Sequence, residues 1–252
     1  MALPYGKLYH RKEDFTMFKT ETIKKVKNNL LHAVKTYMAM DTKTIKMCIS
    51  SGNIKIGRVL NVSLPPILTC GKACKGTCEH YCYDIKACNQ YPNTVIDARA
   101  RNLAILIKDR DEYFARIDAV CSRRRTNKYF RWHVAGDILD ADYLDRMVKI
   151  AIAHPEFKFW TYTKQYHIVN EYVRTHGNDR HVAIPSNLTI MYSEWRGLEM
   201  VNPYGFPEFR CVFTSEGEKL DSETWTCPGN CDICKKVSRG CVNDETTQCE
   251  DH

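Results

Sequence analysis

The chain of 252 residues is 44% hydrophobic and 27% charged, which fits a globular protein and excludes a collagen, a disordered tail and a membrane bundle. Residues 1–60 hold 12 of the 37 Lys and Arg residues but only 4 of the 30 Asp and Glu residues, so they carry a charge of +8 and the rest of the chain carries −1. This basic excess indicates either the solvated face of a helix or a surface that contacts nucleic acid.

Cysteine is the outlier in the composition, with 13 residues that fall mainly into two groups of five. One group lies between Cys70 and Cys88, and the other between Cys227 and Cys249. The N-terminus shows no basic stretch followed by an apolar one, and no apolar run is long enough to span a bilayer. We therefore expect a cytoplasmic protein with no membrane contact, in which the cysteines bind metal rather than form disulfides.

The first half of the sequence alternates between helical and extended patterns. Residues 21–38 have helical periodicity, and residues 59–64 form an apolar strand that Pro65 and Pro66 end. Helical periodicity returns over 94–108 and over 111–121. The first cysteine group lies between the strand and these helices, which places it in a loop.

The second half repeats the order strand, helix, strand. We predict strands over 130–135, 157–163, 188–194 and 209–213. One predicted helix is capped by Asp140 or Asp142, and a second predicted helix ends near Gly177. Strand starts at 130, 157 and 188 have the spacing of βαβ units, which predicts a parallel sheet. The predicted fold class is α/β: a parallel β/α array, open or closed as a partial barrel, with a small Cys-rich C-terminal metal-binding segment.

This pattern divides the chain into three parts. Residues 1–45 form a basic, partly helical extension, residues 46–225 form the β/α domain with the Cys-rich loop 70–88, and residues 226–252 form the metal-binding segment and a polar tail. Ligands of such sheets bind at the carboxyl ends of the strands, so we expect the functional site there.

Four cysteines follow the first predicted strand at four-residue intervals, namely Cys70, Cys74, Cys78 and Cys82, with Cys88 six residues further on. Thiolates are soft ligands for iron and zinc, and a short loop brings them to one centre at little cost in closure entropy. This spacing predicts a [4Fe–4S] cluster or another metal. Cys74, Cys78 and Cys82 are the first choice of ligands, and Cys70 either replaces Cys74 or is a fourth ligand.

A cluster held by three thiolates at the mouth of a β/α array is similar to the arrangement in radical S-adenosylmethionine enzymes. Their usual loop is C-x3-C-x2-C, whereas every interval here is x3. The turn at Gly136 and Asp137 is similar to the strand-end turn that meets the methionine amino group in that superfamily, and Lys164, Ser193 and Glu194 end the next strands. We expect these five residues to contact S-adenosylmethionine; the alternative is a helix cap with ordinary strand-end polarity.

The second cysteine group also has the spacing of a metal site. Cys231 and Cys234 are separated by two residues, and a Pro-Gly turn brings Cys227 close to them. We predict that these three and Cys241 hold either zinc or a second iron–sulfur cluster, whose binding could supply the folding energy of a segment with no long apolar run. Cys249 falls in a polar stretch and is expected to be unligated.

Several short runs of the chain resemble the gene product 88 family of phages and prophage-like elements, in the same order. They are 51–55, 62–65, 81–83, 90–93, Arg101 with Asn102, 131–137, 161–164 and 227–231. The resemblance extends from about 48 to 241 and leaves residues 1–45 outside; the family commonly has Ser where this chain has Ala135. It implies a distant similarity to radical S-adenosylmethionine proteins, and it strengthens the prediction of the fold and of two cysteine sites more than that of a reaction.

The leading hypothesis is therefore an iron–sulfur protein with radical S-adenosylmethionine-like architecture, which would need an electron donor and an unidentified substrate. The alternative is a zinc-binding phage protein without catalysis that contacts nucleic acid through its basic N-terminal region.

Overall fold

The architecture is built on one sheet of eight strands. The computed structural model describes residues 17–53 and 56–250. The predictions for residues 1–16, for 54–55 at the end of the 51–55 run, and for 251–252 lie outside these ranges. The strands are β1 Ile49–Ser50, β2 Leu60–Val62, β3 Tyr129–Arg131, β4 Lys158–Thr163, β5 Leu188–Ser193, β6 Glu208–Val212, β7 Trp225–Thr226 and β8 Thr247–Glu250.

The sheet is mostly parallel and open. Its strand order is β1-β2-β3-β4-β5-β6-β8-β7, with β1 antiparallel to β2 and every other pair parallel. The predicted β/α array is confirmed, and the sheet does not close on itself. β8 inserts between β6 and β7, so the predicted C-terminal segment contributes a strand to the same sheet as the β/α domain.

Strand β3 is shorter than the predicted strand over 130–135. His133 has a φ of 52° and Gly136 has a φ of 87°. Left-handed conformations cannot continue a pleated strand, so the chain turns away from the sheet after Arg131. His133 is buried here, and its ring nitrogens lie 2.9 Å from the Tyr143 hydroxyl and 3.3 Å from the Thr161 hydroxyl. Burial lowers the pKa of His133 to about 3, so the ring is neutral.

The helices of the described part are α1 Thr20–Met38, α2 Tyr83–Gln90, α3 Asp97–Lys108, α4 Arg110–Arg123, α5 Ala141–Ala153, α6 Tyr166–Thr175, α7 Arg180–Ala183 and α8 Cys231–Val237. Five of them, α1 and α3 to α6, occur close to where the periodicity predicts them, whereas α2, α7 and α8 were not predicted. Asp140 caps α5 by accepting a hydrogen bond from the Tyr143 amide (2.8 Å), as predicted. Pro92–Ile96 forms a π-helical turn that leads into α3. None of the helices in the described ranges is long and apolar enough to cross a membrane.

Helices α3 to α6 pack on one face of the sheet and form the main core. Alternate strand residues such as Phe130, Phe159 and Ile190 point toward this side, because successive residues of a strand face opposite ways. They pack against buried residues of the helices, among them Leu103, Phe114, Leu144, Met147 and Val169. This face explains the apolar periodicity that the sequence shows between 94 and 173.

The opposite face of the sheet is covered by the C-terminal segment. Trp160 follows Phe159 and Met191 follows Ile190, so the side chains of Trp160 and Met191 point to this opposite face. There they are buried against Cys234, Cys241 and Val242. Both faces of the central strands are therefore buried, as expected for a parallel sheet.

Helix α1 is part of the folded body. Its buried residues Ile23, Val26 and Leu30 pack against Ile85 and Cys88 of α2, and its last turn reaches the main core through Val34. The lysines of this helix are exposed on its outer side. The helix of the predicted N-terminal extension thus buries an apolar face while it presents a basic one.

Candidate functional site

The first cysteine loop lies at the carboxyl edge of the sheet. It follows β2, and the neighbouring strands β3, β4 and β5 end at the same edge because they run parallel to β2. The Gln165 side chain, at the end of β4, donates a hydrogen bond to the Cys70 carbonyl (2.7 Å). Gly71 has a φ of 69°, which favours glycine, and a Cβ there would lie 2.0 Å from Gln165 Nε2 and would displace this side chain. The loop is thereby attached to the strand ends.

The four thiols of this loop are neighbours. The Cys74 thiol donates to the Cys70 carbonyl (3.1 Å), and hydrogen bonds with Cys70 and Cys78 raise its pKa strongly. Burial raises the pKa of Cys82, with further contributions from the nearby Cys70 and Cys78. The hydrogen bond from Cys74 and the positive charge of Lys164 lower the pKa of Cys78 to about 7 in spite of its burial. The loop therefore gathers the four predicted thiols beside a cationic side chain.

Cys88 is separate from these thiols. It is fully buried on α2 among the residues that pack on α1, and its thiol points toward the Asp84 carboxylate (3.9 Å). Asp84 also accepts a hydrogen bond from the Arg99 guanidinium (2.9 Å). Burial raises the pKa of Cys88 to about 12. Its role is therefore in the packing of α1 on α2.

Three of the predicted cofactor residues meet at the strand ends. Buried Asp137 accepts hydrogen bonds from the Thr163 hydroxyl (2.6 Å), the Ile138 amide (2.7 Å) and the Lys164 amide (2.9 Å). Burial raises the pKa of Asp137 to about 6, although these bonds oppose the shift. The Lys164 ammonium donates to the Ser193 hydroxyl (2.7 Å). Asp137, Lys164 and Ser193 thus form one polar group beside the thiol loop.

Gly136 and Glu194 do not join this group. A Cβ at Gly136 would lie 2.7 Å from both Leu64 Cβ and Thr69 Oγ1, so the space is occupied by the start of the cysteine loop. Glu194 instead forms an ion pair with Arg210 (3.1 Å) on β6. Gly136 therefore permits the loop to pack on the strand-end turn, and Glu194 lies at the outer side of the edge.

The second predicted cysteine set also comes together, on the covered face of the sheet. Cys231 and Cys234 share one side of α8, whose first turn is capped by Asn230. Cys227 follows β7, and Cys241 begins a 3-10 turn. Burial raises the pKa of each thiol, to about 11 for Cys234 and about 12 for Cys241, and both also interact with Cys227 and Cys231.

Sequence reasoning missed the residues that extend this second set. Cys249 lies in β8 directly opposite Cys211 of β6, and not in a tail as expected. The side chains of Arg131 and Tyr162 lie beneath the thiols, with the guanidinium 4.6 Å from the centre of the Tyr162 ring. Only strand register brings these four residues here, and register cannot be derived from spacing in the sequence.

Neither set of thiols surrounds a common point. Within the described ranges, no group of three or more His, Cys, Asp or Glu side chains is arranged to hold a metal ion. The donor atoms nevertheless suit metals that prefer sulfur, namely zinc or an iron–sulfur cluster, since eight cysteine thiols form two local sets.

The chain matches a model of a known protein family. The family model described as Gene product 88 matches residues 23–197, from within α1 to just after β5. The match begins earlier than the runs that carry the resemblance and ends before Cys227. No curated protein and no solved structure matches the chain.

We expect Gly136→Ala to lower the free energy of unfolding by about 3 kcal/mol, from left-handed strain and from the contacts with Leu64 and Thr69. Gly205→Ala is the matched control, because Gly205 has a φ of 65° but no atom within 4 Å of the added Cβ. That variant should lose only about 1 kcal/mol. Urea denaturation of both variants measures the difference, and equal losses would show that the strand-end turn does not pack tightly on the loop.

Proposed function

The chain belongs to the gene product 88 family, and we propose that it is an iron–sulfur protein whose cluster is bound by the loop from Cys70 to Cys82. The observation that carries the proposal is the position of this loop. It places four neighbouring thiols at the carboxyl edge of a parallel sheet, where α/β proteins bind their ligands. The cysteine set that begins at Cys227 would hold a second metal, either zinc or another cluster.

Within the loop, Cys74, Cys78 and Cys82 are the proposed ligands, and Cys70 either replaces Cys74 or is a fourth ligand. A fourth thiolate would close the open iron and would argue against the binding of S-adenosylmethionine to the cluster. The Cys74 thiol already contacts Cys70 and Cys78, and Cys82 neighbours the same two residues. A [4Fe–4S] cluster needs thiolates rather than thiols, so its binding would release protons. The ammonium of Lys164 would offset part of the negative charge of the thiolates, since it already favours the Cys78 thiolate.

We further propose that the protein carries out chemistry similar to that of radical S-adenosylmethionine enzymes. A cluster with an open iron supplies one electron to a bound sulfonium in such chemistry. Support comes from the polar group beside the loop. Asp137 uses Oδ1 for two donors and Oδ2 for one, which leaves a position on Oδ2 to accept from an amine. Lys164 uses one donor on Ser193 and keeps two.

The alternative of a zinc protein that contacts nucleic acid has one observation in its favour. Lys24, Lys27 and Lys35 are exposed at helical spacing on α1, opposite the side that packs on α2 and α3. Because the buried side of α1 belongs to the core, removal of residues 1–45 would damage the fold. Substitution of the exposed lysines is therefore the cleaner test of this surface.

Protein purified without oxygen is expected to contain iron and sulfide, about four of each per [4Fe–4S] cluster, with visible absorption from the cluster. Cys78→Ser should lose the iron of the loop site because the Cys78 thiol contacts Cys74 and interacts with Cys82. Cys88→Ser is the matched control and should keep it, since Cys88 faces Asp84. Zinc at both sites without iron would refute the proposal and favour the alternative.

Reduced protein with a full complement of iron is expected to cleave S-adenosylmethionine, and chromatography of the products measures this. Cys88→Ser should retain the activity and Cys78→Ser should lose it, because only Cys78 lies in the thiol group of the loop. If the fully loaded protein cleaves none, the radical chemistry is wrong and an iron–sulfur protein without it remains.

The variant with Lys24, Lys27 and Lys35 changed to Gln is expected to bind DNA no less tightly than the unaltered protein if the leading proposal holds. If the protein instead contacts nucleic acid through α1, the plot of log affinity against log salt would become less steep by about 0.9 for each lysine that contacts a phosphate. Fluorescence anisotropy at several salt concentrations measures the slope. Exposed Lys149, Lys219 and Lys236, changed together to Gln, control for the loss of three charges elsewhere.

A further inference from the structure

Three cysteines form a row: two lie in neighbouring parallel strands, and one directly follows a third strand. Cys211 of β6 is directly opposite Cys249 of β8. On the other side of β8, Thr226 pairs with Gln248 and the Cys227 amide donates to the Gln248 carbonyl (2.7 Å), so Cys227 lies beside Cys249. Residues in register on neighbouring strands point to the same face and lie about 4.8 Å apart. The row therefore places three thiols side by side.

This row lies on the face that carries the second cysteine set. Thr247 precedes Cys249 by two residues and so shares its face. It is buried, and its hydroxyl lies close enough to the Cys241 thiol to lower the pKa of that thiol. The Cys249 thiol hydrogen-bonds with Cys211, and it also interacts with Cys227 and Cys241. Cys211 and Cys249 are thus continuous with the predicted set, which makes a group of six thiols.

A half-buried cation lies beneath this group. The guanidinium of Arg131 packs on the Tyr162 ring and interacts with Cys231 and Cys241. Its Nε atom is buried and has no hydrogen-bond partner among the described residues. A buried charge is costly unless an opposite charge compensates it. An excess of thiolates over metal charge at this face would supply that compensation.

We propose that Cys211 and Cys249 are ligands of this second metal site, which binds two zinc-type ions through six thiolates. The inference rests on the proposed binding of a metal by the set that begins at Cys227. One tetrahedral zinc uses four thiolates, whereas two such ions have eight ligand positions, which six thiolates fill when two of them bridge. Each thiol that binds releases its proton to water, and no electron is transferred.

The dimensions and the charge fit this arrangement. With Zn–S bonds of about 2.3 Å, thiolates on one tetrahedral ion lie about 3.8 Å apart. Cysteines that are opposite each other on neighbouring strands reach this separation when their side chains tilt toward each other. Six thiolates and two divalent ions leave two negative charges, one of which Arg131 can balance. A single four-thiolate zinc or a [4Fe–4S] cluster would leave Cys211 and Cys249 unligated.

Native mass spectrometry of the full chain reconstituted with Zn²⁺ alone tests the stoichiometry. We expect the double variant Cys211→Ser and Cys249→Ser to bind one zinc ion fewer than the unaltered protein. Cys48→Ser with Cys88→Ser is the control and should bind the same number as the unaltered protein. An unchanged zinc count in the first variant overturns the inference.

Two further measurements distinguish a failure of this inference from a failure of the proposal that the set beginning at Cys227 binds metal. Cys231→Ser with Cys234→Ser should lose zinc; if it loses none, the second metal site itself is absent. In the unaltered protein, Zn²⁺ should slow the alkylation of Cys211 and Cys249 by about tenfold, because the free thiolate is the nucleophile, and leave Cys48 unchanged. Slowing that is confined to the four other thiols would show one metal ion and overturn the inference without a variant that has to fold.

Discussion

The constraint on which this structure depends is that a parallel sheet must be buried on both faces. Helices α3 to α6 satisfy it on one face with an ordinary apolar core. On the other face, Trp160 and Met191 are covered by α8 and a 3-10 turn that contribute mostly cysteines. Such a short segment has little apolar surface of its own, so the free energy of metal binding would be part of the free energy that keeps this face covered.

The same sheet determines the position of the first site. Because β2 to β5 are parallel, the loop after β2 and the turns after β3 and β4 meet at one edge. The end of β4 links them: Thr163 donates to Asp137, and Gln165 holds the backbone of Cys70. The thiols and the polar group therefore share one support, and a change at the end of β4 would disturb both.

Local patterns in the sequence were sufficient for helices α1 and α3 to α6, for strands β2 to β6 and for the grouping of the cysteines. Apolar periodicity predicts the helices α1 and α3 to α6, and cysteine spacing predicts the two groups of thiols. Contacts between distant segments could not be derived in this way. The strand β8 is four residues long and largely polar, so its pairing with β6, and the resulting placement of Cys249 opposite Cys211, depends on register. Gly136 shows the same limit, since its neighbours Leu64 and Thr69 are far from it in sequence.

The edge of the sheet formed by β7 and β8 is weakly paired, so the second thiol set would stabilise the fold there if it binds metal. Strand β7 has two residues and lies at the end of the sheet beside β8, so few hydrogen bonds join the two strands. These few bonds offset little of the conformational entropy that is lost when the chain is ordered. Cys227 follows this strand directly and is the residue that brings it to the thiols of α8 and of the turn at Cys241. Metal–thiolate bonds at Cys227 and Cys249 would tie β7 and β8 to the covered face. The metal would then stabilise an edge that strand pairing alone holds weakly.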